Sequence, residues 1–373
     1  MASISGLALS RAFFHDAMKD ILDQHFPGLQ YAAALLGDGS EVLGLDDDIS
    51  RDHHWGPRLL IFLETADHAA VSGKARDVLA RELPLEFKGY PINWTEPDKY
   101  HVQIPSPARA HPVNHRVVFH TVGGYIKERL GLDGLEPADA KWFAVPEQAL
   151  LEFTAGEVFH DEAGTLTRAR QAVACYPDRI RRALLASEFG MISEEMALVG
   201  RAGQRGDDLG SAIIAARHVK RMMHAAFLLA RQYAPYPKWF GTAFKRLPIG
   251  ERLGPVLLKV VGASDWRERE GALADACILL VGEMVATGII PAVHATHGKY
   301  FGRDQVNVDL GPVIAGLSEG LDETLLEMAE LGSTSQLIDE SRQFKFREGK
   351  SADAIMQLYE QRKSPNAENT REG

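Results

Sequence analysis

Leu35-Leu36-Gly37-Asp38-Gly39-Ser40, then Arg51-Asp52-His53-His54-Trp55, then Leu59-Leu60-Ile61-Phe62-Leu63: the fold of this chain turns on how these three pieces are read. Residues 31–36 predict a short strand that runs into a small-residue turn over 37–40. Residues 59–63 predict a second strand, and a polar loop joins the two. Asp52 and His54 are one residue apart, and on an extended backbone alternate side chains point to the same side. Strand, turn, loop and strand therefore gather Gly39, Ser40, Asp52 and His54 at one place. Gly39 permits a close backbone approach to a phosphate, and Ser40 offers a hydroxyl. A carboxylate and a neutral imidazole together suit a divalent or transition metal. A Gly-Ser pair alone is more often an ordinary turn, and the bland reading of Asp52 with His54 is a polar strand entrance. The acidic run Asp46-Asp47-Asp48 reads as a solvated loop.

Outward from this stretch, residues 13–26 predict a helix that Pro27-Gly28 ends. Residues 67–83 predict another helix, and residues 115–120, centred on Val117-Val118-Phe119, a third strand. A further helix begins at 125–130. The β–β–α–β order is not that of a dinucleotide-binding unit. No Gly-x-Gly-x-x-Gly follows a strand, and no Gly-Lys-Ser/Thr phosphate loop is present. Beyond residue 150 the pattern is helical, with segments at 177–186, 193–205, 208–233, 252–261, 272–286 and 321–331. In the longest, Ala212, Ala215, Val219, Met222, Ala226 and Leu229 recur at helical spacing. The expected fold class is α+β: a small mixed-sheet domain over residues 1–150, then an α-helical bundle over 151–362, with the substrate cleft between them. The charged, apolar-poor stretch 363–373 is expected to be a disordered tail.

Composition narrows the function. With 373 residues there is room for two domains. At 45% hydrophobic and 25% charged, the chain is ordinary for a globular protein. A formal net charge of −10 argues against a broad nucleic-acid surface, so an anionic substrate needs a metal or a local Arg/Lys cluster. The best such cluster is Arg217, Lys220 and Arg221 on the longest helix. Cys175 and Cys277 are too few for a disulfide scaffold and read as two core thiols in a reducing compartment. The N-terminus lacks a basic segment followed by an apolar core, so the expectation is a cytoplasmic protein. The apolar stretch around 272–290 carries Asp275 and Glu283 and reads as a buried helix, not a membrane span.

Gly39-Ser40, eleven residues, then Asp52-x-His54 resembles the signature of the polymerase-beta-like nucleotidyltransferase superfamily. Two longer segments sharpen the likeness: Gly37 to Gly44 with Asp52 to Arg58, and Tyr233-Ala234-Pro235-Tyr236-Pro237-Lys238-Trp239-Phe240. Together they resemble an uncharacterised bacterial family in that superfamily, one with a helical C-terminal domain. The resemblance implies metal-dependent transfer of a nucleoside monophosphate from a nucleoside triphosphate to a hydroxyl of a polar small molecule, with release of pyrophosphate. Gly39 and Ser40 would hold phosphate; Asp52 and His54 would hold magnesium or manganese, with zinc or another transition metal as the alternative. Arg58 and Lys238 would neutralise charge developing during transfer. Tyr236 and Trp239 could line an organic substrate.

The chain departs from that pattern at two positions. His54 stands where the superfamily has a second carboxylate, and Val118 where a third is expected on a later strand. Two further readings stay open. One is a catalytically degenerate nucleotide-binding or regulatory protein. The other is a histidine/carboxylate metal-dependent hydrolase or lyase in the same cleft, with His120 joining Asp52 and His54 as a metal ligand. Asp207 and Asp208 could cap the longest helix or supply a carboxylate to the cleft.

Overall fold

The computed structural model describes residues 4–51, 54–100, 102–338 and 357. The stretch 363–373 lies outside the described residues. The fold is α+β, as the sequence predicts, with a small mixed sheet and many helices. The strands are β1 (Tyr31–Leu35), β2 (Arg58–Leu63), β3 (Glu86–Phe87), β4 (Tyr90–Pro91), β5 (Arg116–His120), β6 (Glu157–Asp161), β7 (His297–Lys299) and β8 (Val306–Val308). Two compact units form. The first takes the described residues up to Glu136 together with Ala149–Ala174; the second takes Pro137–Gln148 and the described residues from Cys175 to Ile338.

The first unit is built on a four-stranded sheet in the order β5-β2-β1-β6. β1 pairs antiparallel with β2 and with β6, while β2 pairs parallel with β5. β1 is buried at every position, which suits a central strand whose alanines let neighbours close in on both faces. Leu59, Ile61 and Leu63 of β2 and Val117 and Phe119 of β5 alternate inward onto Phe13, Phe14, Met18 and Leu22, with Leu79 of the helix Thr65–Glu82. The N-terminal helical run starts earlier than predicted. Ser5 accepts a hydrogen bond from Ala8 N, and the helix Gly6–Phe13 continues through a π turn, Phe14–Met18, into Lys19–His25. β6 is not predicted by the residue pattern. Glu157, His160 and Asp161 leave it without an apolar alternation to recognise, and pairing with β1 is what makes it a strand.

In the second unit the helices Asp178–Glu195, Asp208–Leu229, Gly250–Gly262 and Trp266–Ala286 bury Ile180, Leu184, Phe189, Met222, Leu253, Leu273 and Leu280. Ser193-Glu194-Glu195 reads as a helix start but ends one. The apolar spacing of Ile180, Leu184, Phe189 and Ile192 carries the helix through it, and a separate short helix, Leu198–Gly203, follows. Asp207 caps the longest helix, its Oδ1 accepting from Gly210 N at 2.7 Å, while Asp208 pairs with Arg269 at 2.9 Å. Cys175 and Cys277 are both free thiols, and of the two only Cys277 is fully buried. Among the described residues, no helix is long and apolar enough to cross a membrane.

Candidate functional site

Strand directions place the 37–40 turn and the start of β2 at one end of the sheet. β1 ends at Leu35 where antiparallel β2 begins, and Arg58 is in register with Arg116 at the start of parallel β5. The 37–40 turn, His54, Arg58 and Arg116 therefore share one end of the sheet. Gly37 and Gly39 have φ of 89° and 131°, a region that favours glycine. At Gly39 the need is also steric, since a Cβ would collide with Glu41 Oε2 and Arg58 Nη2. The close approach that glycine allows here is to a buried ion pair. Arg58 donates from Nε to Glu41 Oε1 at 3.0 Å and from Nη2 to the Asp38 carbonyl, and both side chains of the pair are buried.

Ser40 is buried too, its Oγ donating to Ser50 O at 3.4 Å. His54 has a φ of 55°, uncommon outside glycine. Its Nδ1 accepts from Arg116 Nη1 at 2.7 Å. Arg116 also lies over the Trp94 ring, 5.0 Å from its centroid. Burial, and then the charge of Arg58, push the Arg116 pKa down to about 10, while Asp38 and Glu41 act the other way. Arg129 Nη1 lies 3.5 Å from Asp38 Oδ2. Asp46 is more than a solvated loop residue: its Oδ2 accepts from Gly6 N at 2.8 Å and Trp55 Nε1 at 3.0 Å.

Asp52 lies outside the described residues. His120 is not brought to His54. It is four residues along β5 from Arg116, roughly 13 Å at ~3.3 Å per strand residue. There it rests against Phe62 and Tyr125, with Glu128 3.8 Å away, and burial lowers its pKa. Val118 is 38% exposed on β5. Among the described residues, no three His, Cys, Asp or Glu side chains are grouped to hold a metal ion. At this end of the sheet the His54 Nδ1 lone pair is engaged by a guanidinium. Lys238 belongs to the second unit. It is exposed near the start of the helix Pro237–Phe244, its ammonium 4.8 Å from the Trp239 ring centroid.

The second unit holds a polar cluster that the sequence reading misses. Glu147 opens the helix Glu147–Thr154, its N donating to Ser335 Oγ at 2.8 Å. Glu188 comes from the middle of Asp178–Glu195, and Arg221 and His224 sit one turn apart on Asp208–Leu229. His224 meets Glu147 Oε2 through Nε2 and Glu188 Oε1 through Nδ1, both at 2.6 Å, and Arg221 Nη1 reaches Glu188 Oε2 at 3.0 Å. With a carboxylate on each nitrogen, the ring is an imidazolium that donates twice. Burial, the largest influence, opposes that charge, but Glu147 and Glu188 lift the pKa to about 10. Burial likewise opposes the Glu188 charge, yet His224 and Arg221 hold its pKa below the usual carboxylate value. At neutral pH His224 is thus no general base. These residues line a cavity of about 490 Å³. The four come from three helices separated by long gaps in the chain, and only the one-turn spacing of Arg221 and His224 is visible in the sequence.

A family model described as Domain of unknown function (DUF4037) matches residues 142–240, a span that includes Glu147, Glu188, Arg221 and His224. No curated protein matches the chain. Among solved structures the chain is similar to a nucleotidyltransferase-like protein from Exiguobacterium sibiricum 255-15. The sequence identity is 11% and the TM-score 0.30, over 73% of this chain and 76% of that one.

Proposed function

We propose that this chain is a nucleotidyltransferase-like protein whose first unit binds the phosphates of a nucleoside triphosphate at the 37–40 end of its sheet. One observation carries the reading. Arg116 sits at that end beside the glycine turn, partly buried, its charged form disfavoured by burial and by Arg58. A polyphosphate would relieve that imbalance, and a guanidinium with its fixed donors suits a phosphate. Arg58, held by Glu41, shapes the turn.

The catalytic form of this reading is transfer of the nucleoside monophosphate to a hydroxyl of a polar small molecule, with release of pyrophosphate. Binding without transfer is the second form. Val118 in place of a carboxylate and the Arg116–His54 hydrogen bond favour it.

Arg116→Ala removes a charge-assisted contact worth roughly 1.5–3 kcal/mol. Affinity for a nucleoside triphosphate should therefore fall about 10- to 100-fold, read by isothermal titration, while the unliganded melting temperature stays close to that of the parent. The parent protein should bind the triphosphate far more tightly than the free nucleoside. Equal affinity for the two, or an Arg116→Ala variant that binds as the parent does, would remove the proposal. Pyrophosphate release across an acceptor panel then separates the catalytic form from the binding form.

A further inference from the structure

We propose that the hairpin β7–β8 is a proton-operated latch, held on the helix Trp266–Ala286 by a neutral Glu270 and loosened when that carboxyl ionises. The hairpin belongs to the second unit, and its strands pair from His297 with Val308 to Lys299 with Val306. Its tip is aromatic: Phe301 is 83% exposed, has a φ of 46° and meets the Tyr300 ring edge-on. Beneath the tip the hairpin is fixed by polar groups. Glu270, on the helix, is only 3% exposed and takes a hydrogen bond from the backbone N of Val306. Beside it Gln305 is 2% exposed. A Cβ on Gly200 would strike Glu270 Oε2 and the Gln305 side chain at once, so the two share one small space.

That space is short of donors. Among the described residues, Glu270 Oε2, Gln305 Oε1 and, two residues further along the hairpin, Asn307 Oδ1 are buried without a hydrogen-bond partner. Buried acceptors left without a donor are costly. A proton on Glu270 turns one of them into a donor for an amide oxygen of the hairpin. The surrounding charges do little to hold Glu270 ionised. Arg267, on its own helix, pulls that way, as does the Val306 N–H, but burial outweighs both and lifts the Glu270 pKa to about 7. The helix Leu198–Gly203 meets Glu270 through Gly200, and the hairpin through Gln305 and Val306, none of them charged. On the side of Asp208–Leu229, Asp208 and Ser211 are taken by Arg269. On the side of Gly250–Gly262, Arg252 pairs with Glu283, far along the helix. A second link between hairpin and helix, His297 Nε2 to Asp275 Oδ1 at 2.8 Å, is an ion pair only when the imidazole is protonated, and both side chains are exposed, so it is worth little. The folded pKa of Glu270 lies above its ordinary 4.5. The stabilisation is therefore full below about pH 4.5 and is lost as the pH rises through about 7.

Hydrogen exchange of the hairpin amides reads the latch directly, Tyr300 N, which donates to Gln305 O, among them. After correction for the intrinsic pH dependence of exchange, protection in the parent protein should fall about tenfold between pH 6 and pH 8. Glu270→Gln keeps the shape of the side chain, carries an amide donor and cannot ionise, so its protection should stay within about twofold over the same range. The parent's own profile decides the matter even if that variant folds poorly. Protection in the parent that does not change with pH would mean that an amide N–H serves an ionised Glu270, and would overturn the proposal. A tenfold fall that persists in Glu270→Gln would overturn it as well, by making the His297–Asp275 pair the sensor. So would a rise in the parent's protection when calcium is added at pH 8, because the buried oxygens would then hold a cation in place of a proton.

Discussion

Replacing His224 with leucine should destabilise the second unit more than any exposed substitution. The imidazolium is the shared partner of two buried carboxylates, donating to Glu147 and Glu188 at 2.6 Å each. Removing one member of a buried ionic group strands the others and costs about 3–5 kcal/mol. In a unit of this size that is a fall in melting temperature on the order of 10 °C. The penalty should depend on pH with a definite sign. The His224 pKa in the folded chain, about 10, lies above the ordinary 6.5. Its stabilisation is therefore full below about pH 6.5 and is lost as the pH rises through about 10. The Glu188 pKa is held below its ordinary 4.5, so its contribution is full above that value and is lost as the pH falls further. Both contributions are complete between about pH 4.5 and 6.5. The gap between the parent protein and His224→Leu, measured by urea melts, should be wide near pH 6 and shrink steadily towards pH 10. A gap that stays constant over that range, or a variant that melts with the parent, would mean that the cluster is not ionised in this way.

What the sequence shows of this protein depends on how local each signal is. The mixed sheet is legible because β1, β2 and β5 carry apolar runs bounded by turns, and the helical half because apolar residues recur at helical spacing from Ala212 to Leu229. β6 is not legible, since its strand character comes from pairing with β1 and not from its own residues. The sheet-end site is legible in part: the 37–40 turn, His54 and Arg58 do lie at one end of the sheet. Which partners they take is not, because the Glu41–Arg58 and Arg116–His54 pairings are made only by tertiary packing. His120 shows the limit of counting alternation along a strand. Its parity is the same as that of Arg116, but four residues of extended chain carry it to the far end of β5. Glu147, Glu188 and His224 lie on three different helices, and no spacing rule within a single segment could have joined them.

Arg58→Ala should unfold the first unit before it reveals anything about ligand binding. The guanidinium is buried, with Nε 3.0 Å from Glu41 Oε1, and it also satisfies the Asp38 carbonyl in the glycine turn. Loss of the arginine leaves Glu41 charged and only 2% exposed, at a cost of about 3–5 kcal/mol. The double replacement Glu41→Leu with Arg58→Met removes both charges and keeps similar volume, so it should recover most of that stability. Urea melts followed through the buried Trp55 and Trp94 would report both variants. The pairing matters for function because it separates two kinds of arginine at one end of the sheet. If Arg58 is scaffold, the double variant should regain the fold, and nucleotide affinity should then depend chiefly on Arg116. If Arg58→Ala instead melts like the parent protein and loses only nucleotide binding, then Arg58 is itself a phosphate ligand. Its bond to Glu41 would in that case be a resting contact that the nucleotide displaces.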